Sequence, residues 1–340
     1  MAESWPDDVL ADLVGAHLPV DPDRLLFDPI RTGKHNSSFY VHGGGDDLVL
    51  RISPADRVAD AAGGGFLFYE RRMMAQEPGL HALLRAETTI PVAEILAYDD
   101  SRQLVDRDYL IMKRLPGRPL SELRLGASQL DAVFEQVGGY LAQMHALVAD
   151  RYGYLPALPV PGNEDGPQGY EPMVPQPSWV RAFEIMWNKL LDDVVACGGY
   201  TPEEAAAFRR LFDVYRPHFD RSVPASLLHM DVWGQNILVD EKGVVTGLVD
   251  LDRALWGDPE IEYAVLDYTG ISEPGFWRGY RQVRDTSFPA QVRARFYTLY
   301  EVQKYIPIRI WRRDDYRAAL DYKRQSFALA RPLIQALGQS

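Results

Sequence analysis

The residues best placed for chemistry lie between Leu227 and Ala264. His229-Met230-Asp231 is followed by Asn236, a strand-like run from Ile237 to Val239, a turn at Asp240-Glu241-Lys242-Gly243, and a second run ending at Asp250. A hairpin of this kind folds the chain back on itself, so Asp250 returns close to Asn236. Asp231, Asn236 and Asp250 then converge at one end of it. Carboxylate and amide oxygens are hard ligands suited to Mg2+, which keeps waters and takes further oxygens from phosphates. Phosphoryl transfer needs such a set: metal ions neutralise the nucleotide's charge while a carboxylate orients the incoming hydroxyl.

The surrounding pattern supplies elements to position these groups. Ser4-Trp5-Pro6-Asp7 predicts a helix start, with Ser4 as cap and Val9, Leu10, Leu13 and Val14 as the apolar stripe. Leu25 to Ile30, Ser38 to His42 and Leu48 to Ile52 are β-type runs, the last two joined by a turn at Gly43 to Asp47. A helix carrying Phe66, Tyr69, Glu70 and Met73 is expected after the Ala-Gly stretch from Ala61 to Gly65. Strand-like runs at Val92 to Ala97 and Tyr109 to Met112 follow it. This makes an α+β N-terminal lobe over residues 1–114. The stiff linker Leu115-Pro116-Gly117-Arg118-Pro119 leads into a mainly helical lobe over 115–340, with a hinge at about 112–118. There, Leu130, Val133, Phe134, Val137, Leu141 and Met144 recur at helical spacing, and Thr201-Pro202-Glu203-Glu204 is a capping box. The Pro- and Gly-rich stretch from Leu155 to Ser178 reads as a long irregular insertion, a kind of loop that often carries function.

Composition narrows the classes. A chain of 340 residues with 46% hydrophobic and 25% charged residues is long enough for two lobes around a cleft and has ordinary globular balance. No run reaches the roughly 18 apolar residues of a membrane span, and Met1 to Asp8 lacks the plan of a signal peptide. The single Cys197 has no internal partner, which points to a reducing, cytoplasmic setting. A net charge of -12 opposes nucleic acid and is compatible with a cationic substrate. Oligomeric state is not written in any of these features.

The pattern H-x-D-x-x-x-x-N is the spacing of a kinase catalytic loop. The runs HMDVWGQNILVD and GLVDLDRALWGDPEIEYA together resemble the aminoglycoside phosphotransferase and choline kinase-like family, over about Leu26 to Tyr268. The resemblance implies a two-lobed protein-kinase-like fold and ATP bound at the hinge, with GTP as the alternative nucleotide. It implies Asp231 as the catalytic aspartate holding the acceptor hydroxyl, and Asn236 and Asp250 as Mg2+ ligands. Arg51, in LVLRISP, takes the place of the phosphate-binding basic residue on the third strand, and Glu70 that of its helix partner, with Glu77 in the same helical region as the rival. The stretch from Gly33 to Phe39, with Asn36, Ser37 and Ser38, lies where the family's phosphate-covering loop lies. The backbone of Lys113 and Leu115 is expected to meet the adenine.

Departures from the pattern are an arginine at position 51 where protein kinases carry lysine, a phosphate loop without G-x-G-x-x-G, and Glu262 where the family more often shows aspartate. An arginine still makes a good phosphate fork. His229 is read as a structural residue tying the catalytic loop by hydrogen bonds, and Asp258 as supporting architecture. Asp252 is an aid to substrate or metal, and Trp256, Tyr268, Glu273 and Trp277 are candidates for an acceptor pocket. The expected activity is transfer of the ATP γ-phosphate to a hydroxyl of a small molecule: an aminoglycoside or other antibiotic, a sugar or amino sugar, or an amino alcohol. Resistance to an antibiotic is one role such an activity serves. The rivals are a nucleotide-binding pseudokinase and a kinase of proteins.

Overall fold

Alternation of side chains builds the first sheet. In the computed structural model, which describes residues 5–31, 35–55, 65–159, 166–167 and 169–337, five strands pair antiparallel: β1 (Leu26–Pro29), β2 (Ser37–His42), β3 (Leu48–Ile52), β4 (Ile95–Asp99) and β5 (Tyr109–Lys113). Their order is β1-β2-β3-β5-β4. Along β2 the residues Ser37, Phe39 and Val41 are buried while Ser38, Tyr40 and His42 are less so. Strand periodicity thus sends Phe39 and Val41 to a core shared with Leu10, Leu13 and Val14 of α1 (Asp7–Gly15), and Ser38 to the opposite face. Pro6 is the residue that precedes α1, and the anticipated cap Ser4 lies outside the described residues.

The helix expected from Phe66 onward begins later. Residues 66–72 form turns, Met73–Gln76 a short 3-10 segment, and α2 runs over Glu77–Glu87. Two local features explain the shift. Arg72 sits in the left-handed region at φ 56°, which interrupts a helix, and Pro78 is accommodated only in a first turn.

The larger lobe holds β6 (Arg118–Pro119), α3 (Ala127–Ala146), β7 (Val148–Ala149), α4 (Trp179–Ala196), α5 (Pro202–Tyr215), β8 (Ala225–Leu228), β9 (Ile237–Val239), β10 (Val245–Leu248) and β11 (Leu255–Gly257). It ends with α6 (Pro259–Thr269), α7 (Pro274–Tyr280), α8 (Phe288–Gln303), α9 (Tyr305–Arg313) and α10 (Tyr316–Leu337). Two small sheets, β10-β9-β6 and β11-β8-β7, carry the loops of the cleft. The capping box of α5 forms: Glu204 N–H donates to Thr201 Oγ1 at 3.2 Å, and Thr201 N–H to Glu204 Oε2 at 2.8 Å. Helices α3 and α7 touch backbone to backbone. A Cβ added at Gly279 would stand 1.8 Å from the Glu135 carbonyl oxygen, so only glycine fits there. The Pro-rich insertion, where described, contains no helix, and its ends are tied by a bridge between Tyr152 and Gln176. Among the described residues, no helix is long and apolar enough to cross a membrane.

Candidate active site

Strand β8 delivers the chain to His229, Met230 and Asp231. Met230 takes φ 63°, a conformation unusual for a residue with a side chain and held here by its surroundings. What holds it is Glu262 on α6. Its buried carboxylate accepts the backbone N–H of Met230 at 2.7 Å and of His229 at 3.2 Å, and meets His145 Nε2 on α3 at 2.8 Å. Burial works to raise this carboxyl, but the His145 contact keeps it below the ordinary value. His229 therefore ties the loop through its main chain. Its ring is buried, and neither ring nitrogen has a hydrogen-bond partner among the described residues.

Asp231 is pinned at both oxygens. Arg253 Nη1 donates to Oδ1 at 2.7 Å and Asn236 Nδ2 to Oδ2 at 3.0 Å; the same Nδ2 reaches the Asp231 carbonyl at 2.9 Å. Burial again pushes upward, yet Arg253, with Lys304 and His229, holds the Asp231 carboxyl below its usual range. It stays ionised at neutral pH, as a proton acceptor must. Asn236 in turn accepts the Val249 N–H on its carbonyl at 3.0 Å, which brings the end of the hairpin, and Asp250, alongside. Asp250 adopts φ 71° and is partly open to the cleft.

Arg51 on β3 joins the lobes. Its Nη1 donates to Glu77 Oε2 at 2.6 Å, and its Nη2 to Asp250 Oδ1 at 2.7 Å and, more weakly, to Asp252 Oδ2 at 3.5 Å. The helix partner of Arg51 is thus Glu77 and not Glu70. The late start of α2 leaves Glu70 in the preceding turns, where its carboxylate accepts the Leu67 N–H at 2.8 Å and pairs with Arg312 of the other lobe.

The other residues singled out in the sequence divide into two groups. Asn36, Ser38, Lys113, Leu115, Asp252 and Tyr268 line a cleft of about 570 Å3 between the lobes, together with Arg51, Asp231, Asn236 and Asp250. Asn36 Nδ2 donates to Asp252 Oδ2 at 3.3 Å. The Lys113 N–H is committed to the Glu94 carbonyl and the Arg114 N–H to the Asp47 carbonyl, whereas that of Leu115 donates to no described residue. The second group faces elsewhere. Ser37 is turned by strand alternation to the buried face of β2. Trp256 is core, its backbone paired with Gly153. Glu273 precedes α7, and Trp277 packs edge-on against Tyr263 and Phe276, because α7 is committed to packing on α3. Asp258 caps α6 by accepting the Glu260 N–H at 3.1 Å and pairs with Arg221 at 2.7 Å. Gly33 lies outside the described residues. Glu77 is the rival to Glu70 that the sequence offers in the same helical region; Arg253 and the anchoring role of Glu262 escaped the sequence reading, and the charged run Asp250-Leu-Asp-Arg253 was the available signal for Arg253.

The residues present fit a divalent cation. Asn236 spends its Nδ2 on Asp231, which turns Oδ1 away, and Oδ1 accepts no bond from a described residue. Burial first, then Asp231 and Glu77 nearby, raise the Asp250 carboxyl against the pull of Arg51, an excess of acid that a cation relieves. Among the described residues no group of three or more His, Cys, Asp and Glu forms a cage. Mg2+ needs none, since it is held by one or two protein oxygens and the substrate's phosphates.

The sequence model of the "Phosphotransferase enzyme family" matches residues 27–297. A candidate fructosamine-3-kinase from Haemophilus somnus 129PT has the same two-lobed, protein-kinase-like fold, with TM-score 0.63, 18% identity and 96% of each chain covered. So has an aminoglycoside phosphotransferase, APH(4)-Ia, solved as a ternary complex with AMP-PNP and hygromycin B, with TM-score 0.61, 18% identity and 94% of this chain and 96% of that one covered. At such identity the likeness speaks for the fold alone. The "Probable ketoamine kinase" of Vibrio cholerae serotype O1 is 35% identical over 78 residues, 23% of this chain; the match spans only 26% of that relative. With a family pattern running from the first strand of the small sheet into α8 and a catalytic-type loop braced at its centre, the chain belongs to the phosphotransferase enzyme family.

Proposed function

We propose that the chain transfers the γ-phosphoryl group of ATP to a hydroxyl of a small molecule. The observation that carries the reading is one cleft wall on which Asp231, Asn236 and Asp250 stand together, with Arg51 reaching Asp250 from the other lobe. Asp231 accepts the acceptor's proton as the hydroxyl oxygen forms its bond to γ-phosphorus. The bond from that phosphorus to the bridging oxygen breaks, and ADP leaves with the electron pair. Arg253 keeps the Asp231 carboxylate charged and aimed. Asn236 Oδ1 and Asp250 would hold Mg2+, which when bound supplies charge neutralisation for the triphosphate. Arg51, itself held by Glu77, steadies the phosphates, and the Leu115 N–H is the hinge donor for the adenine.

A small acceptor is favoured because Asp250 is followed at once by a short turn, Leu251–Arg253, then β11 and α6, leaving no room for a protein kinase's activation segment. A binding module without transfer is disfavoured by the presence of both acidic groups. The test is nucleoside diphosphate release with Mg-ATP over acceptors of several classes. Asp231→Asn should lower kcat by about 10²–10⁴ while the Kd for Mg-ATP stays within about twofold, the usual weight of a positioned base. Turnover by this variant equal to wild type would remove Asp231 from its role.

A further inference from the structure

Helix α9 and the residue before it are unlike the rest of this acidic chain. From Val302 to Arg313 the sequence holds Lys304, Arg309, Arg312 and Arg313 and no carboxylate, in a protein of net charge -12. All four line the cleft, as do Asp231 and Arg253, and Lys304 is close enough to Asp231 to help hold its carboxyl down. The acids facing them are already matched. Glu301 pairs with Lys304, Glu70 with Arg312, and Asp231 with Arg253. Asp250, Asp252 and Glu77 lie on the nucleotide side and meet Arg51. Arg309 and Arg313 have no ion-pair partner among the described residues, and the Nε of Arg309 is buried without a hydrogen bond. His35, from the stretch that resembles the phosphate-covering loop, also lines the cleft and brings no negative charge to it. Burial and then the nearby Arg312 press its pKa down to about 3.

Arg309 is half-buried with its Nε out of reach of water, a guanidinium that an anion would complete, while Arg313 stands exposed at the end of the helix; the planar fork of either suits carboxylate or phosphate. Next to Arg309 stands an aromatic wall. Tyr268 stacks on Tyr305 at 5.7 Å and Tyr305 on Tyr322 at 5.0 Å, with the Arg309 guanidinium 5.8 Å from the Tyr322 ring centre. With their faces turned to one another, these rings offer the cleft they line their edges and hydroxyls, an apolar surface with polar tips that suits a hydroxylated skeleton. The geometry points to an acceptor that carries an anionic group, carboxylate or phosphate, beside the hydroxyl that is phosphorylated, the anion held by Arg309 and Arg313 and the skeleton laid against the tyrosine wall. The inference rests on the phosphotransferase reading above, and it runs against the cationic acceptor that the overall charge invites.

The test pairs acceptors that differ only in the anion: gluconate with glucitol, glycerate with glycerol, and ribose 5-phosphate with ribose, with kanamycin as the cationic arm. ADP release is followed at saturating Mg-ATP. In parallel, binding of gluconate and ribose 5-phosphate is measured by calorimetry with Mg-AMP-PNP filling the nucleotide site. The expected result is a kcat/KM at least about tenfold higher for the anionic member of a pair. Arg309→Met and Arg313→Met should each raise the KM for that acceptor by about tenfold, the weight of a charge-assisted hydrogen bond, with the KM for ATP within about twofold. The two acid arms separate carboxylate from phosphate. Preference for neutral or cationic acceptors, unmoved by Arg309→Met, would overturn the inference and leave the kinase reading standing. So would a rise in the KM for ATP in place of that for the acceptor. Calorimetric binding that both variants abolish, without turnover, would uphold the anion site and sink the kinase reading. Absence of both turnover and binding would overturn the inference.

Discussion

Asp252 shows how one residue can be set against the stability of the fold. Its carboxyl is buried, and burial first, then Asp250 and Glu77, lift its pKa well above the ordinary carboxylate value; Arg51 compensates in part. The folded state therefore binds its proton more tightly than the unfolded chain does. Stability of the metal-free protein falls as pH rises from the unfolded carboxylate range through the folded value. Asp252→Asn keeps an acceptor for Asn36 Nδ2 and removes the charge. In EDTA at pH 8 the variant should be more stable than wild type by on the order of 1 kcal/mol, with the gap shrinking at pH 5. Denaturant midpoints at the two pH values check this. A variant less stable at both would mean that pairing with Arg51 outweighs the cost of burial. Asp231 is the opposite case. Its lowered pKa keeps it ionised between pH 5 and 8, so a loss of kcat in that range has its origin in another group.

At the scale of elements, α6 and α3 act on the catalytic-type loop through a single carboxylate. Glu262 gathers two backbone N–H groups and His145, and His145 Nδ1 meets Tyr280 OH of α7 at 2.7 Å. Glu262→Gln presents an amide N–H2 where the loop offers donors. Each bond to a charged acceptor is worth about 1.5–3 kcal/mol, so the variant should lose at least about 2 kcal/mol. It should also lower kcat more than tenfold by releasing Met230 from its left-handed conformation, with little change in the KM for ATP. Urea unfolding and steady-state kinetics read the two effects separately. A stability loss without any loss of kcat would show that α6 supports the fold and not the geometry of Asp231. The backbone contact of α3 with α7 at Gly279 is the frame in which this bracing works, since it sets where His145 stands.

For the whole molecule, the consequence of two lobes is that the proposed nucleotide site is shared between them. Ser38 and Arg51 come from the sheet of the small lobe, Asn236 and Asp250 from the large one, and Glu70 with Arg312 already spans the gap. A ligand bound only when both lobes are folded stabilises both. Mg-ATP at about 100 times its Kd should add about 2.7 kcal/mol to unfolding, and EDTA should remove most of it. Thermal unfolding with and without metal measures this; equal shifts with and without Mg2+ would detach Asn236 and Asp250 from the nucleotide. The charge of the molecule is also uneven. The chain carries a net charge of -12, yet Lys304, Arg309, Arg312 and Arg313 of one short stretch all line the cleft.

The sequence by itself determined what is local. The spacing of Asp231 and Asn236, the hairpin that returns Asp250, the strand pairs and the α5 cap all depend on neighbours a few residues apart, where turn chemistry and periodicity act directly. The family pattern lies in the same stretch. Tertiary structure decided what depends on packing between distant segments. Glu70 and Glu77 flank one turn in the chain, and only the start of α2 selects Glu77 for Arg51. Ser37 and Ser38 are adjacent, and only the burial of one sheet face separates them. Trp256 and Trp277 are aromatic residues near the catalytic block, yet a small sheet and α7 use them as core. The cations of α9 lie far along the chain from Asp231, and electrostatic fields follow distance in space and not in sequence, so no local pattern could place them in the same cleft.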